Sequence, residues 1–349
     1  MRHATGLFAV IMISSLAAAN PGDFAKAPTA PAPPPKPTAL STNSKLLAPI
    51  QVESLTLTPI IKTDAVTEKG DLLVLDEAMS KKLVRIHEVA EGNVNNLTLT
   101  NNADQPLFLL AGEVIIGGKQ DRIIGANTVI PAKSTQAVPV YCVEHGRWQV
   151  ETTEFTSGKA LAHGRLRGKA SYAAQGEVWQ EVAAKNELRK TTNATDTYRK
   201  VATQQSDGTL GKQEKSVNEA LAKLPAADRG RMIGYVVALN GKVATVDMFT
   251  SPALFKKLEP KLVRSYLTEA VDIAAAKDIK APNANDVKQF MADAAKAKEE
   301  RSYENAYSGT TVQKGQLSDH ARVMLKETRA DPKAPAAVEP TVYENYQVK

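Results

Sequence analysis

Apolar and polar residues alternate over much of the chain up to about residue 155. The alternation is partial in Val52–Ile61 and clear in Asn95–Thr100, and Leu72–Leu75 is a short apolar run. Gly, Asn, Asp and Pro residues that favour turns separate these segments. Short strands with this spacing predict an antiparallel sandwich or barrel. A helical period interrupts the pattern at Glu77–Leu83.

Beyond residue 155 the apolar positions follow a helical period. The clearest stripe runs through Glu259–Lys277, where apolar residues recur three and four positions apart. Further helices are predicted in three segments: Ser171–Lys190, Glu214–Leu224 and Ala284–Lys298. One hairpin is also predicted in this region, because Met232–Leu239 and Val243–Phe249 flank Asn240-Gly241, the strongest short-range hairpin signal.

These two patterns define the expected architecture. We predict an α+β protein in which an antiparallel β-sandwich-like half, residues 46–155, packs with a helix-rich α/β half, residues 156–327. Residues 328–349 include the Pro- and Ala-rich stretch Ala330–Pro340 and are expected to form a loose C-terminal tail. The length allows one large domain or two ordinary ones, and the sequence leaves that choice open.

The N-terminal residues have the pattern of a secretory signal peptide. Arg2 precedes the short apolar run Leu7–Leu16, and three alanines at residues 17–19 resemble a cleavage site. We therefore expect cleavage after Ala19 and a secreted or periplasmic protein; a buried N-terminal helix is the alternative. The apolar run is too short for a permanent transmembrane helix. Residues 20–45 predict a Pro- and Ala-rich disordered linker.

Charge and composition restrict the classes of partner. The formal net charge is +6, or +5 once Arg2 is removed with the signal, and acidic residues are interspersed among the basic ones. Because few aromatic residues accompany these charges, the pattern predicts a solvated surface and no nucleic-acid groove. The basic balance favours association with an anionic cell envelope. Cys142 is the only cysteine, which excludes an internal disulfide and a thiolate metal cage.

Two polar clusters within Leu107–Trp148 concentrate the unusual chemistry of the chain. The first comprises Gly112-Glu113 and Gly117–Arg122, and the second is Tyr141–Trp148. Strands alone would not require such a set of carboxylate, amide, guanidinium and imidazole groups. The sequence therefore predicts a ligand-binding site formed by six residues: Glu113, Gln120, Arg122, Glu144, His145 and Arg147.

A geometric argument relates two of these residues. If Gly117-Gly118 form a two-residue turn, Glu113 lies directly opposite Arg122 on the neighbouring strand. A carboxylate and a guanidinium group can form two parallel hydrogen bonds at such a position. Two roles stay open for the pair: an ion pair that sets the register of the hairpin, and a part of the ligand site.

The second cluster is predicted to be a strand that ends in a turn. Alternation places Cys142 and His145 on opposite faces, so the two cannot pair within the strand. Cys142 is therefore expected to be a small buried hydrophobic residue and not an activated nucleophile. Arg147 and Trp148 could cover a flat or anionic ligand. Alternatively, Arg147 could bind a carboxylate such as Glu144 at the edge of the core.

Known enzymatic signatures are missing from the sequence. It has no Gly-x-Ser-x-Gly elbow, no phosphate loop, no dinucleotide fingerprint and no His-Glu-x-x-His spacing. The sequence therefore indicates no cofactor and no metal, and it leaves open whether the protein is an enzyme. A hydrolase that uses Glu113 and Glu144 as acid and base would require the fold to place them about 5–10 Å apart.

Both clusters resemble one known family, the ARG-and-rhodanese-phosphatase-associated (ARPP-type) domain. The similarity covers roughly residues 50–276 and is carried by three runs and two later aromatic residues: Leu110–Arg122, Pro139–Trp148, Arg231–Lys242, Phe249 and Phe255. The resemblance implies membership of a largely uncharacterised family. The family name refers to association with ADP-ribosylglycohydrolases and phosphatase-like proteins, which points to ADP-ribose or nucleotide-linked ligands by association alone.

The function expected from the sequence is recognition of a small polar or anionic ligand, or of a partner in the cell envelope. The motif region 112–148 would provide the contacts. The arginines would bind the anion, Gln120 and His145 would exchange hydrogen bonds with the ligand, and the glutamates would orient the arginines. Two alternatives remain: the hydrolase, and a structural interaction domain whose polar core is satisfied internally.

Overall fold

The computed structural model describes most of the chain between residues 43 and 348. The described ranges are 43–64, 71–89, 94–204, 208–305, 310–316, 320–327 and 341–348. The predicted signal peptide and all but the last few residues of the predicted linker lie outside these ranges. Within them the chain forms eighteen strands and eight helices, which confirms the mixed α+β class.

Strands dominate the beginning and the end of the described chain, and most helices lie between them. The strands are β1 (Ser44–Leu46), β2 (Ile50–Val52), β3 (Leu55–Lys62), β4 (Leu73–Val74), β5 (Val84–Glu88), β6 (Asn96–Asn101), β7 (Leu107–Leu109), β8 (Glu113–Ile116), β9 (Arg122–Ile124), β10 (Thr128–Ile130), β11 (Ser134–Cys142), β12 (Thr156–Leu161), β13 (Met232–Leu239), β14 (Lys242–Phe249), β15 (Glu299–Asn305), β16 (Thr310–Gln316), β17 (His320–Glu327) and β18 (Thr341–Val348). The helices are α1 (Leu75–Ser80), α2 (Gly164–Tyr172), α3 (Gln175–Leu188), α4 (Arg199–Ala202), α5 (Gly208–Ala222), α6 (Ala226–Arg229), α7 (Pro252–Ala270) and α8 (Ala284–Ala295).

The largest sheet contains nine strands of the described chain. Its order is β1-β3-β13-β14-β18-β17-β16-β15, with β2 also paired to β3, and every pair is antiparallel. Strand β3 pairs along β13, which follows it by about 170 residues. The sheet therefore combines strands from the early and the late parts of the chain.

Two smaller sheets carry the polar clusters. A six-stranded antiparallel sheet has the order β12-β8-β9-β11-β6-β5, so the strands of the first cluster, β8 and β9, lie beside β11, which leads into the second. A three-stranded sheet, β10-β7-β4, contains the parallel pair β4 and β7. Because β9 pairs with both β8 and β11, the two clusters become neighbours in space.

Helix α7 packs its apolar stripe against the largest sheet. Its first turn is capped by Ser251, whose Oγ accepts a hydrogen bond from the Leu254 N–H at 3.2 Å, and Pro252 occupies the first helical position. Leu258 and Leu262 on this stripe are fully buried. The predicted stripe Glu259–Lys277 is therefore real, but the helix begins and ends seven residues earlier than predicted because the serine cap and proline set its start.

The predicted hairpin is confirmed in detail. Strands β13 and β14 are antiparallel with Leu239 opposite Lys242, so Asn240-Gly241 forms a two-residue turn. Asn240 has φ 46° and Gly241 has φ 79°, the left-handed values that such a turn requires. The predicted helix Ser171–Lys190 is in fact two helices, α2 and α3, because the backbone is extended at Ala173 and Ala174.

Strand β18 differs from the sequence-based expectation. Composition predicts a loose tail over residues 328–349, but Thr341–Val348 pairs with β14 on one side and β17 on the other. Its residues from Val342 to Gln347 are all buried. The prediction was wrong for this strand because it extended the composition of Ala330–Pro340, which lies outside the described residues, to a segment with strand-forming Val and Tyr.

Candidate functional site

The first cluster forms a wider hairpin than the sequence predicts. Ile115 lies opposite Arg122, so five residues, Gly117–Asp121, connect β8 and β9 in place of two. The Asp121 Oδ1 atom accepts a hydrogen bond from the Gly117 N–H at 3.1 Å and closes this loop. The predicted pair of Glu113 with Arg122 is therefore wrong. The register shift is two residues, which moves the partner along the strand but keeps both side chains on the same face.

Glu113 pairs with a lysine from a distant helix. Its Oε1 atom is 2.6 Å from the Lys261 Nζ atom of α7, and its Oε2 atom accepts a hydrogen bond from the Leu110 N–H at 2.8 Å. Lys261 also lies 2.8 Å from Asp76 of α1. Burial, reinforced by Asp76, raises the pKa of Glu113. Burial opposes the charge on Lys261, but the two carboxylates outweigh it and raise the Lys261 pKa. Glu113 thus belongs to a buried ion triad.

Asp121 is the hub of the first cluster. Its carboxylate is fully buried and receives hydrogen bonds from the Arg199 Nη2 and Nε atoms at 2.7 and 2.8 Å. The Thr197 hydroxyl donates at 2.7 Å, and the Arg147 Nη2 atom lies 3.4 Å away. With the bond from Gly117, both carboxylate oxygens are saturated. Asp121 therefore ties the hairpin loop to the segment that enters α4.

Arg147 connects the second cluster to the same loop. Its Nη2 and Nε atoms donate to the Glu144 Oε2 atom at 2.7 and 3.0 Å. Its Nη1 atom donates to the Gly118 carbonyl at 2.7 Å. The same Glu144 oxygen accepts a hydrogen bond from the Asp121 N–H at 2.9 Å. The alternative in which Arg147 binds Glu144 is therefore correct, and the two clusters lock each other in one network.

Gln120 and Arg122 extend this network into the core. The Gln120 Nε2 atom donates to the Glu144 carbonyl at 2.7 Å, and its Oε1 atom accepts from the Arg122 Nη1 atom at 3.2 Å. Arg122 is fully buried, and its nearest carboxylate is Glu88 at 3.9 Å. Its Nε and Nη2 atoms have no hydrogen-bond partner among the described residues. The hydrogen bonding of Arg122 is therefore incomplete, but neither Gln120 nor Arg122 lines a described cavity.

The structure places Cys142 in the core and His145 at the surface. Cys142 is 1% exposed, and burial raises the pKa of its thiol, so it behaves as a hydrophobic residue. His145 is exposed beyond the end of β11, where its ring contacts the Trp179 ring at a centroid distance of 4.5 Å. The adjacent Trp148 is 57% exposed.

The structure therefore places the six predicted residues in three settings. Four of them, Gln120, Arg122, Glu144 and Arg147, meet in one hydrogen-bonded network. Together with Asp121, Thr197 and Arg199 they form what we call the motif network. Glu113 lies in the ion triad and His145 on the surface. Asp121 could have been found from the sequence, because it is a carboxylate between two predicted site residues. Thr197 and Arg199 lie in a polar stretch with no recognisable pattern.

A polar cleft lies at the end of β9 opposite to the loop Gly117–Asp121. Its volume is about 430 Å³, and it lies between the six-stranded sheet, the junction of α2 and α3, and strands β16 and β17. Its lining includes Asn95, Ala111, Asn127, Tyr141, Gln175 and Lys314. Asn127 and Tyr141 come from the region Leu107–Trp148 that the sequence singles out. The cleft is thus in the predicted region but uses other residues.

Two smaller cavities share residues with the polar cleft. One is a narrow recess of about 10 Å³, lined by Asn127, Arg167, Tyr343, Asn345 and Gln347 among others. The other is a hollow of about 180 Å³, lined in part by Lys298, Lys314 and Arg322. We call them the recess and the basic hollow. Ser171 and Val323 line all three, so the cavities adjoin one another.

A buried ion pair lies behind the recess. The Arg167 Nη1 and Nη2 atoms donate to the two Asp247 carboxylate oxygens at 3.1 and 3.0 Å. Tyr266 donates to the same carboxylate at 2.6 Å, and Tyr343 and Asn345 also donate to it. Burial opposes ionisation of Asp247, but Arg167 outweighs it and lowers the Asp247 pKa. The pair is therefore charged and mutually neutralised.

Gly112 is required for this arrangement. Its φ of +93° is in the left-handed region, and a Cβ atom there would lie 2.6 Å from the Arg167 Cγ atom. Any side chain at this position would be strained and would displace Arg167. The glycine of the first cluster thus allows the strand to approach the residue that lines the recess.

Comparison with family models identifies the domain. The model of the ARG and Rhodanese-Phosphatase-superfamily-associated Protein domain matches residues 43–330. The chain belongs to this family. The match includes both polar clusters, the hairpin of β13 and β14, and all described lining residues of the polar cleft, so the resemblance drawn from the sequence is confirmed. No curated protein and no solved structure matches the chain.

The ARPP-type domain also contains a histidine that resembles part of a catalytic triad. His163 is fully buried, with its Nδ1 atom 2.9 Å from the Tyr198 hydroxyl and its Nε2 atom 3.0 Å from the Glu181 Oε1 atom. Burial lowers the pKa of His163. Burial opposes ionisation of Glu181, but hydrogen bonds from His163 and Lys169 lower its pKa to about 2. A neutral His163 can hydrogen-bond to both Tyr198 and Glu181, so these contacts favour a structural role for His163.

The described part of the ARPP-type domain contains no group of three or more His, Cys, Asp or Glu side chains placed to hold a metal ion. None of the described helices has the length and apolar character that a membrane span requires.

Proposed function

We propose that this ARPP-type domain binds a small, polar, anionic ligand in the polar cleft. The observation that supports this most directly is the composition of the lining. Lys298, Lys314 and Arg322 line the cleft and the basic hollow, and the described lining contains amides and hydroxyls but no carboxylate. Lys314 also donates to the Ser171 carbonyl, and Arg322 is 2% exposed beneath the Tyr346 ring. A concave surface with charge of one sign concentrates ligands of the opposite sign. The volume of the cleft lies within the range of small-molecule sites.

In this proposal the motif network is the scaffold of the site and not its contact surface. Its carboxylates and guanidinium groups bind one another, and Asp121, Gln120 and Glu144 are almost completely buried. The loop Gly117–Asp121 is thereby held against the turn that follows β11, and β9 and β11 continue from these points to the cleft wall. Rigid support of this kind favours binding because less conformational freedom is lost.

The hydrolase alternative receives less support from the contacts of its two glutamates. Glu113 is bound to Lys261, whereas Glu144 is bound to Arg147, in separate clusters. Neither carboxylate is among the described residues that line the polar cleft. An acid and a base must both reach the substrate, and the recognition function therefore fits this geometry better.

Ligand binding is expected to raise the melting temperature of the full chain. We would measure thermal unfolding with inorganic phosphate, citrate, ribose phosphate, AMP and ADP-ribose, and with glucose and adenosine as neutral compounds. The anions should stabilise the fold because a ligand that binds only the native state shifts the unfolding equilibrium. Lys314→Gln should weaken anion binding about tenfold, the effect of one charged hydrogen bond.

A matched lysine controls for the loss of charge. Lys288 on α8 is exposed, and it is not among the described lining residues of any cavity. Lys288→Gln should therefore bind anions like the unaltered protein. Stabilisation by the neutral compounds alone, or equal anion binding by both variants and the unaltered protein, would contradict the proposed site.

We further propose that the chain is exported, with cleavage after Ala19. The support is the basic start, the apolar run Leu7–Leu16 and the alanines that follow it. In bacterial cells that express the full chain, mass spectrometry of the periplasmic and secreted fractions should find a mature protein that begins at Asn20. Ile11→Arg should retain the precursor in the cells, because an arginine disrupts the apolar run. A cytoplasmic protein that retains its first residues would refute export.

A further inference from the structure

Two amide side chains in the recess have atoms without a hydrogen-bond partner among the described residues. Asn127 is 3% exposed; its Oδ1 atom accepts a hydrogen bond from the Ala111 N–H at 2.8 Å, whereas its Nδ2 atom has no partner among the described residues. Gln347 of β18 is 6% exposed, and neither atom of its side-chain amide has a hydrogen-bond partner among the described residues. Both residues line the recess. The unpaired amide atoms of both residues keep some exposure to the recess, so a hydrogen-bonding group placed there can bind them.

The floor of the recess is polar but carries no net charge. Arg167 lines it, and Asp247 neutralises this guanidinium through two hydrogen bonds. Asn345 donates to Asp247 and keeps its own Oδ1 atom without a described partner. The groups offered to a ligand are therefore amide donors and acceptors. A hydroxyl group both donates and accepts, and it matches such a surface better than a charged group does.

The positively charged residues line the polar cleft and the basic hollow. Lys314 lines both the polar cleft and the basic hollow, where Lys298 and Arg322 are its neighbours. Asn127 lines both the cleft and the recess. A single ligand that fills the cleft would thus meet both the amides and Lys314. Such a ligand must combine neutral hydrogen-bonding groups with an anionic group.

We infer that the ligand is a small polyol that carries one anionic group, that is, a sugar phosphate or a sugar acid. One of its hydroxyls enters the recess, whose volume of about 10 Å³ admits a single such group, and binds Asn127 and Gln347. The rest of the ligand lies in the polar cleft, where its anionic group binds at Lys314. This inference rests on the proposed function and adds the chemical class of the ligand. Gln347 distinguishes a polyol from a simple anion, because its amide can bind a hydroxyl group that the simple anion lacks.

Calorimetric titration of the full chain tests the inference with compounds that share a phosphate and differ in hydroxyls. The probes are inorganic phosphate, propyl phosphate, glycerol phosphate and ribose phosphate, with glucuronate as the sugar acid. Affinity is expected to rise about tenfold or more from propyl phosphate to the better of ribose phosphate and glucuronate, as two added neutral hydrogen bonds would produce. The stronger of the two identifies the source of the anionic group.

Two variants test the role of the recess. Gln347→Met preserves the size of the side chain and should abolish the preference for polyols while the affinity for inorganic phosphate stays within about twofold. Asn127→Asp keeps the acceptor for the Ala111 N–H but replaces the free donor. Because its charge also weakens anion binding, the quantity to compare is the ratio of polyol-anion affinity to inorganic phosphate affinity, which should fall about tenfold.

The outcomes separate the two proposals. If propyl phosphate binds as tightly as ribose phosphate and glucuronate, the polyol inference is overturned while anion binding stands. The same holds if Gln347→Met weakens all probes equally, because the residue would then act only on the shape of the site. If none of the anions binds, the proposed function fails together with the inference.

Discussion

Replacing Asp121 with alanine is expected to lower the free energy of unfolding by about 3–5 kcal/mol, the cost of removing one partner of a buried ion pair. The carboxylate is fully buried, and its loss leaves the Arg199 and Thr197 donors without their partner. The Gly117 N–H would lose its acceptor as well. Urea unfolding of the variant and of the unaltered protein measures this difference directly.

Two comparisons show whether the effect arises from the network. Asp278→Ala removes an exposed carboxylate for which the structure shows no ion pair, and it should change stability by less than about 0.5 kcal/mol. In an Arg199→Ala background, Asp121→Ala should cost at least about 1 kcal/mol less than it does alone, because the two residues interact. If Asp121→Ala costs less than about 1 kcal/mol, the network does not support the loop as described.

Lys261→Met should produce a loss of similar size that depends on pH. At neutral pH the variant leaves Glu113 buried without its counter-ion, at a cost of about 3–5 kcal/mol. Burial already raises the pKa of Glu113, and without Lys261 the carboxyl should take up a proton in the folded state. We would measure urea unfolding between about pH 7 and pH 5.

The sign of the pH dependence follows from proton uptake. The folded variant binds a proton at Glu113 at pH values where the unfolded chain, with a pKa near 4.5, does not. Stability of the variant relative to the unaltered protein should therefore increase as the pH falls toward this value, and the deficit should grow as the pH rises. Adding Glu113→Gln should abolish this dependence. Lys256→Met on the exposed side of α7 serves as the control, and a deficit independent of pH would contradict the ion triad.

The proposed ligand site illustrates how far residue types can locate chemistry. The sequence singles out the region Leu107–Trp148, and Asn127 and Tyr141 of the cleft lie within it. The charged residues that attract attention there, such as Arg147, mostly bind one another. The proposed contact residues Lys314 and Gln347 lie far away in the chain, on β16 and β18. Charged groups close in sequence often neutralise each other, and the groups left for a ligand need not belong to a conspicuous motif.

Local patterns alone determined the elements whose causes are local. The Asn240-Gly241 turn requires left-handed backbone angles that its two residues favour, and the stripe of α7 follows from the helical period. Burial of Cys142 follows from strand alternation. In each case the residues that decide the structure are within a few positions of one another, so their pattern is visible in the sequence.

Tertiary structure decided the register of the first cluster, the partners of its charges and the position of the cleft. The loop Gly117–Asp121 is five residues long because Asp121 closes it while Arg199, 78 residues later, holds the same carboxylate. Glu113 pairs with Lys261, 148 residues later. Such contacts form only when the sheets and helices pack and exclude water, because ion pairs between exposed groups are weak. No periodicity in the sequence indicates which distant residue will pair with a given charged side chain.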